Sequence, residues 1–433
     1  MRTRPTAEQA PLVACSFEEP VCVHSARGVH PDAAGATLFH AESAMRAWRA
    51  LELPRPLPDA GLGGNDAYDI YLLPPGSSAP AGAGKPGAGG RRRGAAKLEV
   101  WSPSPIDLPV TTIDLGSVSG LFDRASAFSV MPPPAEGHGC AASAAVAHAI
   151  AQAIVVGIDA AASEGTVAMT ASYLASMVSP CPPLEALAVD AWQRAPEREI
   201  TGGRAGVLDG AMLFPGFLDE TYGTGAPGRV ITALLSIAGQ RTPPGSWQWQ
   251  NEPDVFDAIR STLKERGKGF GDLLLDFAVA RAFVGSRSDG AHLDDVAGFG
   301  DLGRVRFEWS VPHDSLPRRL APLNPVSSTG MTYLWLDVAG VPKGSTITFF
   351  AEWELPVLFR WALVKVDATG AETGRIEVAG MQGSTQAERT VIVGDFVGLL
   401  IVGVNLGEIT PLDPFDPDDA PFEPHSYTVT LAN

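Results

Sequence analysis

The stretch Ala144-Ala145-Val146-Ala147-His148-Ala149-Ile150-Ala151-Gln152, followed by Glu164-Gly165-Thr166, decides how this chain is read. It lies in the most apolar window, residues 141–162, which is built mainly from alanine yet carries His148, Gln152 and Asp159. A Leu-poor segment with an acid inside it argues for a buried or half-buried helix, not a membrane span. His148, Gln152, Val155 and Asp159 are spaced by four, three and four, so they share one helix face, and Ala144 lies one turn earlier on it. A turn near 157–163 would let a carboxylate at Glu164 come back beside the imidazole. Taken alone, a single histidine in such a segment is most often a satisfied helix histidine.

Composition bounds the rest. With 433 residues, 45% hydrophobic and 19% charged, the chain is globular material with room for two or three domains. A net charge of -17 repels phosphate backbones and anionic lipid, so no nucleic-acid partner is expected. Residues 1–14 contain no apolar core of the kind a signal segment needs. Cys15 and Cys22 bracket a tight loop, while Cys140 and Cys181 flank the Ala-rich helix and the helix after it. That pattern suits two disulfides and an extracellular or periplasmic location better than a metal site, with four reduced thiols as the alternative.

Residues 33–53 read as an amphipathic helix with Leu38, Met45, Trp48 and Leu51 as its stripe, stopped by Pro54-Arg55-Pro56-Leu57-Pro58. A Gly/Asp turn then feeds a strand through Tyr68-Asp69-Ile70-Tyr71-Leu72-Leu73. Asp59, Asp66 and Asp69 offer clustered oxygens for calcium, although Asp and Gly populate tight turns for backbone reasons alone. Residues 76–96, with Arg91-Arg92-Arg93, read as a flexible loop whose tip is solvated or is a processing site. A strand is expected at Ala127–Met131, and helices at 164–177, 208–221, 228–239, 253–266 and 270–284. From Thr332 the texture changes to short β-branched and aromatic runs, at 333–338, 346–353, 358–366, 397–404 and 427–431, which suggests a β-sandwich. The expected organisation is an N-terminal segment with a disulfide loop at 1–32, an α+β domain at 33–320, a linker near 322–330, and a sandwich at 331–433.

Zinc peptidases with a His-Glu-x-x-His helix place two imidazoles one turn apart on one ion, and the intervening Glu takes a proton from the bound water. Here His148 stands at the second imidazole position, Ala144 at the first, and Ala145 at the base. Several segments in order resemble bacterial secreted metallopeptidases of the zincin, gluzincin-like type. They are Ala47-Trp48-Arg49-Ala50-Leu51-Glu52-Leu53-Pro54, Pro56-Leu57-Pro58-Asp59 with Gly63-Gly64-Asn65-Asp66, Asp69-Ile70-Tyr71-Leu72, His148-Ala149-Ile150-Ala151-Gln152, Glu164-Gly165-Thr166-Val167-Ala168, and Leu213 through Gly223. The resemblance implies an α+β zincin-like domain with a helical lower half, a C-terminal all-β sandwich, and Glu164 as the third ligand.

With Ala144 and Ala145 in place, the expected protein is a non-catalytic pseudopeptidase without a cofactor. It would hold a peptide or a cell-surface ligand in a cleft between the Tyr71-bearing strand and the Ala-rich helix. One alternative is an active zinc peptidase with the atypical set His138, His148 and Glu164. A second is a cysteine hydrolase in which Cys140, at a helix N-terminus, is the nucleophile and His292 or His313 the base; a Cys140–Cys181 disulfide would remove it. His24, His30, His40 and His425 stand in no spacing that suggests ligation.

Overall fold

A computed structural model describes residues 4–74, 110–113, 124–134, 139–160, 162–202, 208–239, 254–354, 357–379, 384–408 and 423–433. The chain groups into two compact units, Met1–Ala188 with Arg204–Ile259, and Val189–Gly203 with Arg260–Asn433. The expected loop at 76–96, with Arg91 to Arg93, lies outside the described residues, as does His138.

The first unit is built on a mixed sheet of β1 (Leu12–Cys15), β2 (Val21–Ser25), β3 (Tyr68–Leu72), β4 (Val110–Ile113) and β5 (Ala127–Met131), in the order β1-β2-β3-β5-β4. The three inner strands are parallel, and β1 and β4 pair antiparallel at the two ends. Inner parallel strands are covered on both faces, and β2, β3 and β5 are buried along their whole length. Helix α1 (Pro31–Ala50) provides the crossover that parallel β2 and β3 require. It begins with proline at its first position, after His30 accepts the Asp32 N–H, and it buries Ala41, Ala44, Met45 and Trp48. Of the expected stripe, Leu38 and Leu51 are half-buried.

Helix α2 (Cys140–Ile158) runs through the middle of this unit, with every residue from Ala145 to Ile158 buried. Helix α1, α3 (Glu164–Val178), β4 and β5 pack against it. Burial on all sides is what calls for a helix apolar on all sides, and alanine lets those neighbours come close. Among the described residues α2 is long and apolar enough to cross a membrane, yet 78% of that window is buried inside the fold. After α3 come α4 (Pro182–Gln193), α5 (Leu213–Tyr222), α6 (Arg229–Ala238), α7 (Val255–Glu265) and α8 (Phe270–Ala282). All but α4 were expected from the sequence. Its opening Pro182-Pro183 reads locally as a breaker, although proline is tolerated in a first helical turn.

The second unit is sheet-rich. One sheet orders β11 (Glu372–Ala379), β10 (Val357–Val366), β13 (Gly398–Glu408), β8 (Met331–Asp337) and β6 (Trp309–Pro312). The other orders β12 (Gln386–Ile392), β9 (Thr346–Trp353), β14 (Tyr427–Ala432) and β7 (Arg318–Leu320). Leu334, Phe359, Trp361 and Ile401 of the first share one core with Ile347, Phe349, Val429 and Leu431 of the second, as in a sandwich. Strand β9 shows why: its Thr-Ile-Thr-Phe-Phe-Ala-Glu-Trp alternates between exposed or half-buried and fully buried positions.

The units divide the chain elsewhere than at 32 and at 320–331. The first 32 residues supply β1 and β2 to the first sheet, so they form no separate segment. Strand β6 pairs with β8, and β7 with β14, which draws residues 309–320 into the sandwich. The sandwich unit is not all-β, because α8 packs on β10 and β13. The stretch expected as a linker is tied down: Ser327 N–H donates to Glu197 O at 2.9 Å, Val326 bridges His425, and Val326 is buried. Both expected disulfides are present: Cys15–Cys22 closes the β1–β2 hairpin, and Cys140–Cys181 joins the start of α2 to the residue before α4. They are compatible with an extracellular location.

Candidate functional site

His148 sits in the middle of α2 with its side chain buried, on the face expected from the spacing. One turn earlier Ala144 is half-buried, and Ala145 is buried. The imidazole meets a carboxylate: His148 Nε2 lies 3.4 Å from Asp209 Oδ1. The same oxygen accepts from Ser172 Oγ of α3 at 3.1 Å. Asp209 belongs to a short 3-10 turn, Leu208–Met212, that packs on α3 immediately before α5. The fold therefore sets one buried carboxylate against a helix histidine and a helix serine.

Glu164, the carboxylate expected beside His148, opens α3. Ser163 caps that helix by accepting the Thr166 N–H at 3.2 Å, and an acidic residue in the first turn suits the positive end of the helix dipole. Gln152, one turn beyond His148, is 1% exposed, and neither its Oε1 nor its Nε2 has a hydrogen-bond partner among the described residues. Thr170 Oγ1 in α3 is likewise buried and unpartnered. Unsatisfied buried amides and hydroxyls are uncommon, and here they lie in the two helices that carry His148 and Ser172.

An imidazole beside a carboxylate can hold and orient a proton. The side chains of Ala144 and Ala145 offer neither a metal donor nor a base. Among the described residues no group of three His, Cys, Asp or Glu side chains is arranged to hold a metal ion.

The cysteine alternative meets a direct obstacle, since Cys140 is bonded to Cys181 and has no thiolate to offer. Its suggested base is also engaged. His292 lies in the second unit, with Nδ1 at 2.9 Å from Asp289 Oδ1 and Nε2 at 3.0 Å from Glu372 Oε2, its ring stacked on Phe283. Its neighbour Arg375 also holds Glu372 and reaches Asp276.

Burial pulls the His292 imidazole down, but the hydrogen bonds to Glu372 and Asp289 outweigh it and leave its pKa raised. Burial pushes Asp289 and Glu372 up, but hydrogen bonds with His292, joined by the Ala291 and Glu372 N–H groups at Asp289 and by Arg375 at Glu372, leave both lowered. The imidazolium contribution is thus complete below the unfolded value of about 6.5 and is lost as pH rises through the raised value, while the carboxylate contribution is lost only in acid, below about pH 4. Denaturant midpoints between about pH 5 and 9 are expected to fall on the alkaline side, and His292→Gln is expected to flatten that slope. Parallel curves for the two proteins would refute the assignment.

The cleft expected beside the Tyr71-bearing strand is corrected. Strand β3 is paired on both edges, by β2 and β5, so it offers no backbone to an added strand. The terminal strand near α2 is β4, which pairs with β5 alone among the described residues. At the proposed calcium position, Asp59 and Asp69 already face a cation of the chain itself, since the Arg4 guanidinium contacts both. Asp66 is exposed.

Sequence reading missed Asp209, Ser172 and Arg4. The one local signal was an acid, Asp209, set in an otherwise apolar run from Val207 to Phe214.

No family model matches the chain, and no curated protein matches it. Among solved structures, the pre-peptidase C-terminal domain of collagenase from Bacillus anthracis aligns at 9% identity over 29% of this chain and 96% of that chain, with a TM-score of 0.19. CorA, a surface-associated copper-binding protein of Methylomicrobium album BG8, aligns at 9% identity over 28% and 96%, with a TM-score of 0.19. A family GH115 4-O-methyl-α-glucuronidase covers 53% of this chain and 30% of that chain at 10% identity, with a TM-score of 0.16. Likenesses this low carry no argument about fold or function.

Proposed function

We propose that this chain is a secreted, non-catalytic relative of zincin-type peptidases that holds an extended peptide or surface ligand. The observation that carries the reading is on α2: His148 faces Asp209, while the two positions that would supply a second imidazole and a general base are Ala144 and Ala145. A mixed sheet that ends in an antiparallel strand beside this helix is in keeping with it. Peptide binding by such a frame would use main-chain pairing along β4, the terminal strand among the described residues. Secretion accords with the two disulfides.

The test is metal content and activity of two proteins, the parent and Ala144→His/Ala145→Glu. After dialysis against dilute zinc the parent is expected to hold far less than one equivalent and to cleave no peptide. The double variant regains an imidazole one turn from His148 and is expected to approach one equivalent, at least a tenfold gain in affinity if a third ligand is in reach. Stoichiometric zinc with chelator-sensitive proteolysis in the parent would overturn the non-catalytic reading. A folded double variant that still ignores zinc would overturn the peptidase-like frame.

A further inference from the structure

One face of the first sheet carries a buried polar cluster that the proposed function does not use. Cys22 and His24 of β2, Asp69 and Tyr71 of β3, and Phe128 of β5 alternate onto one side, because side chains two apart in a strand share a face and the register sets His24 beside Tyr71 and Asp69 beside Phe128. Asp69 is fully buried, and His24 Nε2 lies 2.7 Å from its Oδ1. The His24 and Tyr71 rings stack with centroids 4.6 Å apart. Asp59 is buried too, its carboxylate accepting from Gly61 N–H at 3.0 Å and Gly63 N–H at 2.9 Å.

Between these two carboxylates lies Arg4, from the segment ahead of β1. Its Nη2 is 2.8 Å from Asp59 Oδ2, its Nη1 contacts Asp69 Oδ2 and lies 3.3 Å from Tyr71 Oη, and its Cζ sits over the Phe128 ring, 5.0 Å from the centroid. A planar cation is thus forked between two acids and laid on an aromatic floor, which a compact ammonium could not reproduce. Gly63 is needed for this, since a Cβ there would overlap Asp69 Oδ2 and crowd Arg4 Nη1.

We propose that Asp59, Asp69, Tyr71 and Phe128 form a guanidinium-binding slot, filled in cis by Arg4, so that the N-terminal segment is a strap keyed onto the sheet. Two buried carboxylates left without their cation repel each other and have lost their water, so an emptied slot will take up a guanidinium from solution.

Arg4→Ala is expected to lower the thermal midpoint by about 4–8 °C, and methylguanidinium at about 10–50 mM is expected to restore roughly half of that. Sodium or calcium chloride at equal ionic strength should not, and Arg4→Ala/Asp69→Asn should not respond. Arg4→Lys keeps the charge but not the fork, and is expected to recover less than half of the wild-type midpoint advantage. Equal rescue by calcium, or a lysine variant as stable as the wild type, would show a plain cation site and overturn the proposal. So would an Arg4→Ala protein of unchanged midpoint. If Arg4→Ala does not fold, the lysine comparison alone decides.

Discussion

Replacing Arg281 by alanine is expected to destabilise the second unit by about 3–5 kcal/mol, among the largest effects of any single change in this chain. Arg281, near the end of α8, is 1% exposed. Its Nε donates to Gln193 Oε1 at 2.6 Å, its Nη2 to Trp192 O at 3.1 Å, and its guanidinium lies 3.4 Å from the Trp192 ring centroid. Gln193 in turn donates to Arg281 O at 3.2 Å and to Gly303 O at 2.9 Å, so one side chain ties the 189–203 segment to α8. Burial pulls the Arg281 pKa down to about 10, partly opposed by Tyr333 and Glu197. The sign matters: a lowered value for a cation means that the folded state bears a cost for the charge at every pH below it. Alanine removes the cation but leaves a cavity and two buried acceptors short of donors. Methionine fills the space without charge and is expected to cost about 1–3 kcal/mol, less than alanine. Urea unfolding followed by tryptophan fluorescence would decide, and an alanine variant within about 1 kcal/mol of the parent would show the network to be dispensable.

How far these features were legible in sequence depended on their range. Helices α2 and α3 and strands β5 and β9 announce themselves through local periodicity, and they stand where it placed them. The face shared by His148 and Gln152 was equally visible, because helix geometry fixes it. The partner of His148 was not: Asp209 lies in a turn far along the chain, and no spacing rule links the two. Arg4 sits in a segment with no periodicity at all, yet it contacts two carboxylates more than fifty residues away in sequence. Strands β6 and β7 failed for another reason. Four and three residues long, they owe their pairing to β8 and β14 and carry no pattern of their own. Local physics writes elements into sequence, whereas pairing between elements depends on the packing of the whole.

Trp361 in the sandwich illustrates such pairing, and its loss should rival that of Arg281. It is fully buried in β10, with ring centroids of Tyr427 at 5.2 Å, Phe349 at 5.5 Å and Phe359 at 5.8 Å. Directly across the ladder stands Gly403 of β13, where an added Cβ would fall 2.5 Å from Trp361 Cζ3 and 2.8 Å from Thr332 Cγ2. The indole thus occupies the space that a side chain on β13 would need. Trp361→Ala is expected to cost about 3–5 kcal/mol through cavity formation, and Gly403→Ala about 1–3 kcal/mol through overpacking. Trp361 Nε1 has no hydrogen-bond partner among the described residues, so Trp361→Phe forfeits no bond and should cost clearly less than alanine. The decisive measurement is the double variant Trp361→Ala/Gly403→Ala. Once the indole is gone the new methyl loses its clash with the ring and keeps only that with Thr332 Cγ2, so the pair should be more stable than the sum of the single losses implies, by about 1–2 kcal/mol. Strict additivity in denaturant unfolding would mean that the glycine is set by Thr332 and not by the ring above it.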